Sequence, residues 1–178
     1  AYGGALIDQV FGVAGDQMFT FYNKGEPYLA VARLETEGVC SGQIAWYMSR
    51  FQVDPARRSI ARVCWGLPGD IPLAPVEING KLKVIVVRPT GDVQVAYVRD
   101  AVGSAAETAV LGLSNSIPAI GNLVKKEANF YWVQRSTPGL GEVSYVGRRR
   151  ANGKTEVFPF GISSNIILRT DGTTVAPT

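Results

Sequence analysis

Short runs in which apolar and polar residues alternate dominate the chain from residue 27 onward. In the run 42–51, for example, Ile44, Trp46 and Met48 would share one face of a strand. Because successive side chains of a strand point to opposite faces, such runs predict strands with one buried face. Roughly nine or ten of them occur, separated by turn-forming residues every ~8–12 positions, a spacing typical of all-β sandwiches and barrels. The pattern predicts an all-β fold, an antiparallel β-sandwich.

Two Asn-Gly pairs mark the clearest turns of the chain. Asn79 and Gly80 separate two β-type runs, and Asn-Gly accepts the positive φ angles that both central residues of a two-residue hairpin need. A further turn at 89–92 then predicts a three-stranded meander over residues 74–99. The second pair, at 152–153, also lies between two β-type runs and predicts a second hairpin.

Only one segment has a helical pattern. Ser104 and Glu107 have the spacing of a capping box, in which each side chain satisfies a free backbone N–H at the start of a helix. Residues 108–111 would continue the helix, and Gly112 and Pro118 would end it early. One short helix is therefore predicted beside the strands.

The chain is predicted to have three parts. Residues 1–22 contain four glycines and no clean periodicity, which predicts an N-terminal arm. Residues 23–170 form the predicted β-sandwich domain, and residues 171–178 form a loose C-terminal tail. The predicted core comes from strand faces that are apolar or alternate, and its members are Ile44, Trp46, Leu82, Val84, Val86, Val95, Trp132 and Ile166.

Histidine is absent from the chain, and only two cysteines, Cys40 and Cys64, occur. The absence of histidine removes the usual general base near neutral pH and the commonest metal ligand. Both cysteines lie in apolar stretches, so two buried thiols are the favoured interpretation, and a disulfide between them stays open. Two cysteines without histidine do not complete a structural zinc site.

The sequence contains no arrangement of residues typical of catalysis. Gly-x-Ser-x-Gly is absent, and the Gly-Leu-Gly at 139–141 lacks the third glycine of a dinucleotide-binding loop. Carboxylate pairs such as Glu35 and Glu37 favour a solvated strand face over a glycosidase site. We therefore predict a protein that is not an enzyme, with no catalytic residue, no metal and no cofactor. No apolar run approaches the ~20 residues that span a bilayer, so no membrane span is predicted.

Positive charge is concentrated in the second half of the chain. Residues 1–80 carry 6 basic and 8 acidic side chains, net −2, and residues 81–178 carry 12 and 7, net +5, which together give +3. The densest group ends a predicted strand and follows its turn, and it consists of Arg148, Arg149, Arg150 and Lys154. These side chains are a candidate contact for a polyanion or for a carboxylate-rich neighbouring subunit. A solvated hairpin tip is the alternative.

The succession of β-type runs resembles that of small icosahedral virus coat proteins. The segments that carry the resemblance are 42–51, 81–99, 129–135 and 162–169. Within that class the chain is similar to a jelly-roll subunit cut from a picorna-like polyprotein, as in secoviruses and cheraviruses. The resemblance implies a structural coat subunit that assembles with other coat protein subunits around packaged RNA. It also implies location in the virion, or in the host cytoplasm before assembly.

A second hypothesis belongs to a different class of protein. An all-β chain without catalytic residues also suits a carbohydrate- or receptor-binding β-sandwich, such as a spike, fibre or protrusion domain. The two Asn-Gly hairpins depart from a jelly roll, in which most consecutive strands lie in opposite sheets. The predicted fold is therefore an all-β antiparallel sandwich, jelly-roll-like, with its detailed topology left open.

Overall fold

A computed structural model describes residues 11–51, 60–113, 116–124, 127–134, 143–149, 154–162, 167–168 and 174–175. Within these ranges the regular elements are all β-strands, and no helix occurs. The predicted all-β antiparallel sandwich is confirmed.

Fourteen strands make up the described part of the chain. Sheet A contains β1 (Gln17–Asn23), β2 (Glu26–Leu34), β3 (Ile44–Arg50) and β4 (Ile60–Cys64). Sheet B contains β5 (Ile71–Ile78), β6 (Lys81–Thr90), β7 (Val93–Asp100) and β8 (Ala106–Leu113). Sheet C contains β9 (Ile117–Val124), β10 (Glu127–Gln134), β11 (Val143–Arg149) and β12 (Thr155–Ile162). The short strands β13 (Ile167–Leu168) and β14 (Thr174–Val175) pair with each other.

Each four-stranded sheet is an antiparallel meander, because its strands lie side by side in chain order. The predicted meander over 74–99 is confirmed and gains a fourth strand, β8. The predicted jelly-roll topology is not confirmed. A jelly roll contains Greek keys, in which a fourth strand returns to lie beside the first. In sheet A, β1 and β4 instead lie at opposite edges.

The three sheets are joined by two apolar interfaces. Sheet A packs on sheet B through a cluster that includes Phe19, Trp46 and Met48 of sheet A with Val84 and Val86 of sheet B. The opposite face of sheet B carries Ile85, Val87 and Leu111, which pack with Trp132 of sheet C. Sheet B therefore has a neighbour on both faces, and this explains why β6 is apolar at four consecutive positions.

Most of the predicted core is confirmed. Five of its members are buried, namely Ile44, Trp46, Val84, Val86 and Trp132. Leu82 and Val95 are half-buried. Ile166 lies outside the described residues.

The predicted helix after Ser104 is wrong. The segment forms β8, which pairs antiparallel with β7 from Val93↔Leu113 to Arg99↔Ala106. A capping-box spacing is a weak local preference, and the β-branched residues that follow it suit a strand. Pairing with β7 satisfies the backbone groups of the segment and decides the outcome.

Strands occur in both the predicted N-terminal arm and the predicted C-terminal tail. The end of the arm 1–22 belongs to β1, Gln17–Asn23, and Phe19 and Phe21 are buried in the core. The alternation of these two aromatics with exposed residues is a strand pattern that the nearby glycines obscured. In the predicted tail, Thr174–Val175 forms β14 and pairs with β13. Residues 1–10 and the remainder of the tail lie outside the described residues.

Cys40 and Cys64 form a disulfide, with their Cα atoms 5.2 Å apart. The favoured interpretation as two free buried thiols is therefore wrong. Cys64 ends β4, and the loop between β2 and β3 turns back so that Cys40, fully buried, lies next to it. The separation of the two cysteines by 24 positions does not predict the distance between their Cα atoms, because that distance depends on how the strands of sheet A pair.

Candidate functional site

A groove between sheets A and B, lined by described residues, has a volume of about 520 Å³. This volume lies within the usual range for sites that hold small molecules. Its described lining comes from the ends of several strands and from two turns, and includes Asn23, Lys24, Tyr28, Met48, Arg50, Ala61, Gly80, Lys81, Leu82, Asp100, Ala101 and Val102. We call this cavity the intersheet groove.

Two tight turns form part of the rim of the intersheet groove. Asn79 and Gly80 have φ angles of +52° and +72°, which confirms the predicted two-residue hairpin. Lys24 and Gly25, with φ angles of +52° and +77°, form a similar turn between β1 and β2. The turn at Lys24 is tied to the end of β5, which leads into the Asn79–Gly80 turn, because the backbone N–H of Lys24 donates a hydrogen bond of 2.7 Å to Glu77 Oε2.

The floor of the intersheet groove is apolar and belongs to the edge of the core. Met48 is buried, and Tyr28 and Leu82 are half-buried against the same cluster. Met48 and Tyr28 come from neighbouring strands of sheet A, and Leu82 comes from β6 of sheet B. The floor is therefore fixed by the packing of the two sheets.

Charged side chains surround this floor. Arg50 Nη2 lies 2.7 Å from Glu26 Oε2 in an exposed ion pair. Lys81 Nζ lies 3.2 Å from Oδ2 of the buried Asp100, and Lys83 Nζ contacts Asp100 Oδ1. The lining itself thus contains three cations, at Lys24, Arg50 and Lys81, and one carboxylate.

Asp100 is the buried centre of these charges. The hydrogen bond from Lys83 lowers the pKa of Asp100, and this effect outweighs the burial that would raise it; Lys81 adds to the lowering. For Lys83, burial is the largest influence and lowers the pKa, but the hydrogen bonds and charges of Asp100 and Glu107 together outweigh burial and leave the pKa raised. Both shifts favour the charged forms, so the ion pair between Lys83 and Asp100 persists at neutral pH.

We expect Asp100→Asn to reduce the sensitivity of the fold to acid. The pKa of Asp100 is lowered by folding, so its charge stabilises the native state above the usual carboxyl pKa, and this contribution is lost as the pH falls through the lowered pKa. Urea midpoints compared at about pH 6 and about pH 2 measure the loss. The midpoint should fall less in Asp100→Asn than in the wild type or in the control Asp92→Asn, an exposed turn residue. Equal losses in all three proteins would contradict the role of Asp100.

The face of sheet A that points away from sheet B forms a second surface. The register of β1, β2 and β4 with their neighbours places Met18, Tyr22, Leu29 and Ile60 on this face. The exposed fractions of Met18, Tyr22 and Ile60 are 52%, 71% and 54%. We call this surface the outer face of sheet A, and its exposed apolar side chains are the feature that distinguishes it.

One end of the outer face is polar. Arg33 Nη2 lies 2.7 Å from Asp16 Oδ2, and the guanidinium of Arg33 lies 5.2 Å from the centre of the Tyr47 ring. The Tyr47 hydroxyl donates a hydrogen bond to Glu35, and this bond, with burial, raises the pKa of Tyr47. Glu35 is thus engaged with Tyr47, but β2 ends at Leu34, so Glu35 and Glu37 do not share a strand face as predicted.

The predicted basic cluster lies on sheet C. Arg148 and Arg149 end β11, where Arg148 is the register partner of Glu156 on β12 and of Tyr131 on β10. Lys154 precedes β12, and its Nζ lies 3.8 Å from Glu156 Oε1. Arg150 lies outside the described residues. The antiparallel pairing of β11 with β12 confirms that these two runs are adjacent strands, whereas the predicted turn at 152–153 lies outside the described residues. A polyanion or subunit contact for these four residues stays a prediction.

Sequence reasoning did not find either surface. The residues of the intersheet groove are scattered from Asn23 to Val102 and form no motif. Among the described residues, no three His, Cys, Asp or Glu side chains are grouped closely enough to hold a metal ion. The described chain also contains no helix that is long and apolar enough to cross a membrane.

Comparison with known proteins finds no matching family model, no matching curated sequence and no matching solved structure. The fold defines the chain as an all-β protein built from stacked antiparallel meanders. Its function is therefore argued from its own surfaces.

Proposed function

We propose that the protein is a structural subunit that assembles with other copies or sister subunits, in the manner of a coat protein. The observation that carries the proposal is the outer face of sheet A. Sheet A buries its inner face against sheet B, whereas Met18, Tyr22 and Ile60 on its outer face are about half or more exposed. Exposed apolar side chains that share one sheet face are typical of surfaces that meet another protein.

The internal architecture indicates what would cover this face. The chain stacks consecutive four-stranded meanders, and sheet B has an apolar partner on each side. Another copy of the same sandwich would extend this stack by placing one of its sheets on the outer face of sheet A. The polar end, where Arg33 pairs with Asp16, would form the rim of such an interface.

The test is the association of the purified chain. Sedimentation or light scattering over a concentration series should show association for the wild type and loss of association for Tyr22→Lys combined with Ile60→Lys. Both positions are exposed, so the variant should melt within a few degrees of the wild type. The matched control is Val110→Lys, an exposed strand position on sheet B that should associate as the wild type does.

Two results would contradict the proposal. A wild-type chain that stays monomeric up to the highest soluble concentration would remove the assembly function. If association persists unchanged in the double variant, the interface lies elsewhere and does not involve the outer face of sheet A.

A further inference from the structure

The intersheet groove combines three kinds of surface that one class of ligand would use together. It has an apolar floor, a cationic rim, and polar side chains that the described residues leave without a partner. We propose that the intersheet groove binds an acidic sugar, that is, a sugar ring that carries a carboxylate or phosphate. The proposal is independent of the assembly function, because the groove lies on the inner side of sheet A.

The first argument concerns the free polar groups. Within the described part of the chain, the side chains of Asn23 and Lys24 have no hydrogen-bond or ion-pair partner. Both lie at the turn between β1 and β2, whose position is fixed by the hydrogen bond from the Lys24 backbone to Glu77. An amide offers both donors and an acceptor, which suits sugar hydroxyls, and an ammonium group suits an oxyanion.

The second argument concerns the charge balance. The carboxylate of Asp100 is already engaged by Lys81 and Lys83, and that of Glu26 is engaged by Arg50. Glu77 accepts a hydrogen bond from the backbone N–H of Lys24, but among the described residues the ammonium group of Lys24 forms no ion pair. This ammonium group can therefore pair with an anionic group of a ligand, which a neutral ligand does not offer.

The third argument concerns the floor. The half-buried Tyr28 and Leu82 present apolar surface between the charged groups, and the buried Met48 lies beside them. The C–H face of a sugar ring packs against such a surface while its hydroxyls point to the polar rim. The volume of about 520 Å³ has room for one or two sugar rings.

The test uses three probes with the same ring: glucuronate, glucose 6-phosphate and glucose. Titration by calorimetry or by NMR shifts should give dissociation constants of about 1 mM for the two anionic probes and weaker binding for glucose. Lys24→Gln should lower the affinity for both anionic probes about tenfold, because one charge-assisted hydrogen bond is lost. The affinity for glucose should stay unchanged. Asn23→Ala should lower the affinity for all three probes.

The control variant is Lys154→Gln, which removes a cation on sheet C and should change none of the three affinities. Melting temperatures of Lys24→Gln and Asn23→Ala should match the wild type, since neither side chain packs in the core. Absence of measurable binding of both anionic probes would overturn the proposal. It would also be overturned if inorganic phosphate alone bound as tightly as glucose 6-phosphate, or if Lys154→Gln weakened binding as much as Lys24→Gln.

Discussion

Val84→Asp should prevent the sandwich from folding. Val84 is fully buried on β6, where it faces the cluster that joins sheets A and B. A carboxylate at this position would have to be buried without a partner or be protonated first, and either costs several kcal/mol, about as much as the whole stability of a small domain. Far-UV circular dichroism and the yield of soluble protein would measure the effect.

Val110→Asp is the matched control for this substitution. Val110 lies in the same sheet, on β8, and is 53% exposed, so its carboxylate would remain in water. The control should lose less than about 1 kcal/mol, mostly from the poor strand propensity of aspartate. A soluble Val84→Asp protein that melts as the control does would show that β6 does not lie between two sheets.

The sequence predicted best those features that depend on neighbouring residues. The turn at Asn79–Gly80 needs positive φ at both residues, and this local requirement is visible in the two residue types alone. The strand run at β6 was also recognised, because apolar β-branched residues are concentrated there. Its four consecutive buried positions further indicate a strand covered on both faces, which is how it lies in the fold.

Features that depend on distant residues were predicted less well. The capping-box pattern at Ser104 predicted a helix, but the segment forms β8 and pairs with β7. Backbone hydrogen bonds to a neighbouring strand outweigh a local helical preference. The order of the strands within the sandwich was left open for the same reason. Consecutive pairing in all three sheets became visible only when the register was known.

The candidate site shows the same limit. Lys24 and Lys81 are far apart in the sequence, and only the packing of sheet A on sheet B brings them to one groove. Tyr22, on the outer face of sheet A, falls within the segment that was predicted to be an arm. The concentration of positive charge at 148–154 was obvious in the sequence, but one of its members proves to lie beside a carboxylate, at Glu156.

Removal of the disulfide between Cys40 and Cys64 should destabilise the fold by roughly 3 kcal/mol. The bond closes a loop of 24 positions and ties the connection between β2 and β3 to the end of β4. Opening it returns conformational freedom to the unfolded chain, so the native state loses stability relative to it. For a chain of this length the melting temperature should fall by roughly 6–12 °C when a reductant is added.

The variant Cys40→Ala with Cys64→Ala separates this effect from other actions of the reductant. It should melt near the temperature of the reduced wild type, and the reductant should not lower its melting temperature further. Thiol titration of the denatured, unreduced wild type should find no free thiol. The bond joins β4 of sheet A to the loop between β2 and β3 of the same sheet. The inner face of sheet A supplies most of the cluster shared with sheet B, so loosening this sheet should lower the midpoint of the cooperative transition of the sandwich. If the titration finds two free thiols, or if the reductant leaves the melting temperature unchanged, Cys40 and Cys64 do not form a disulfide and are separate buried thiols.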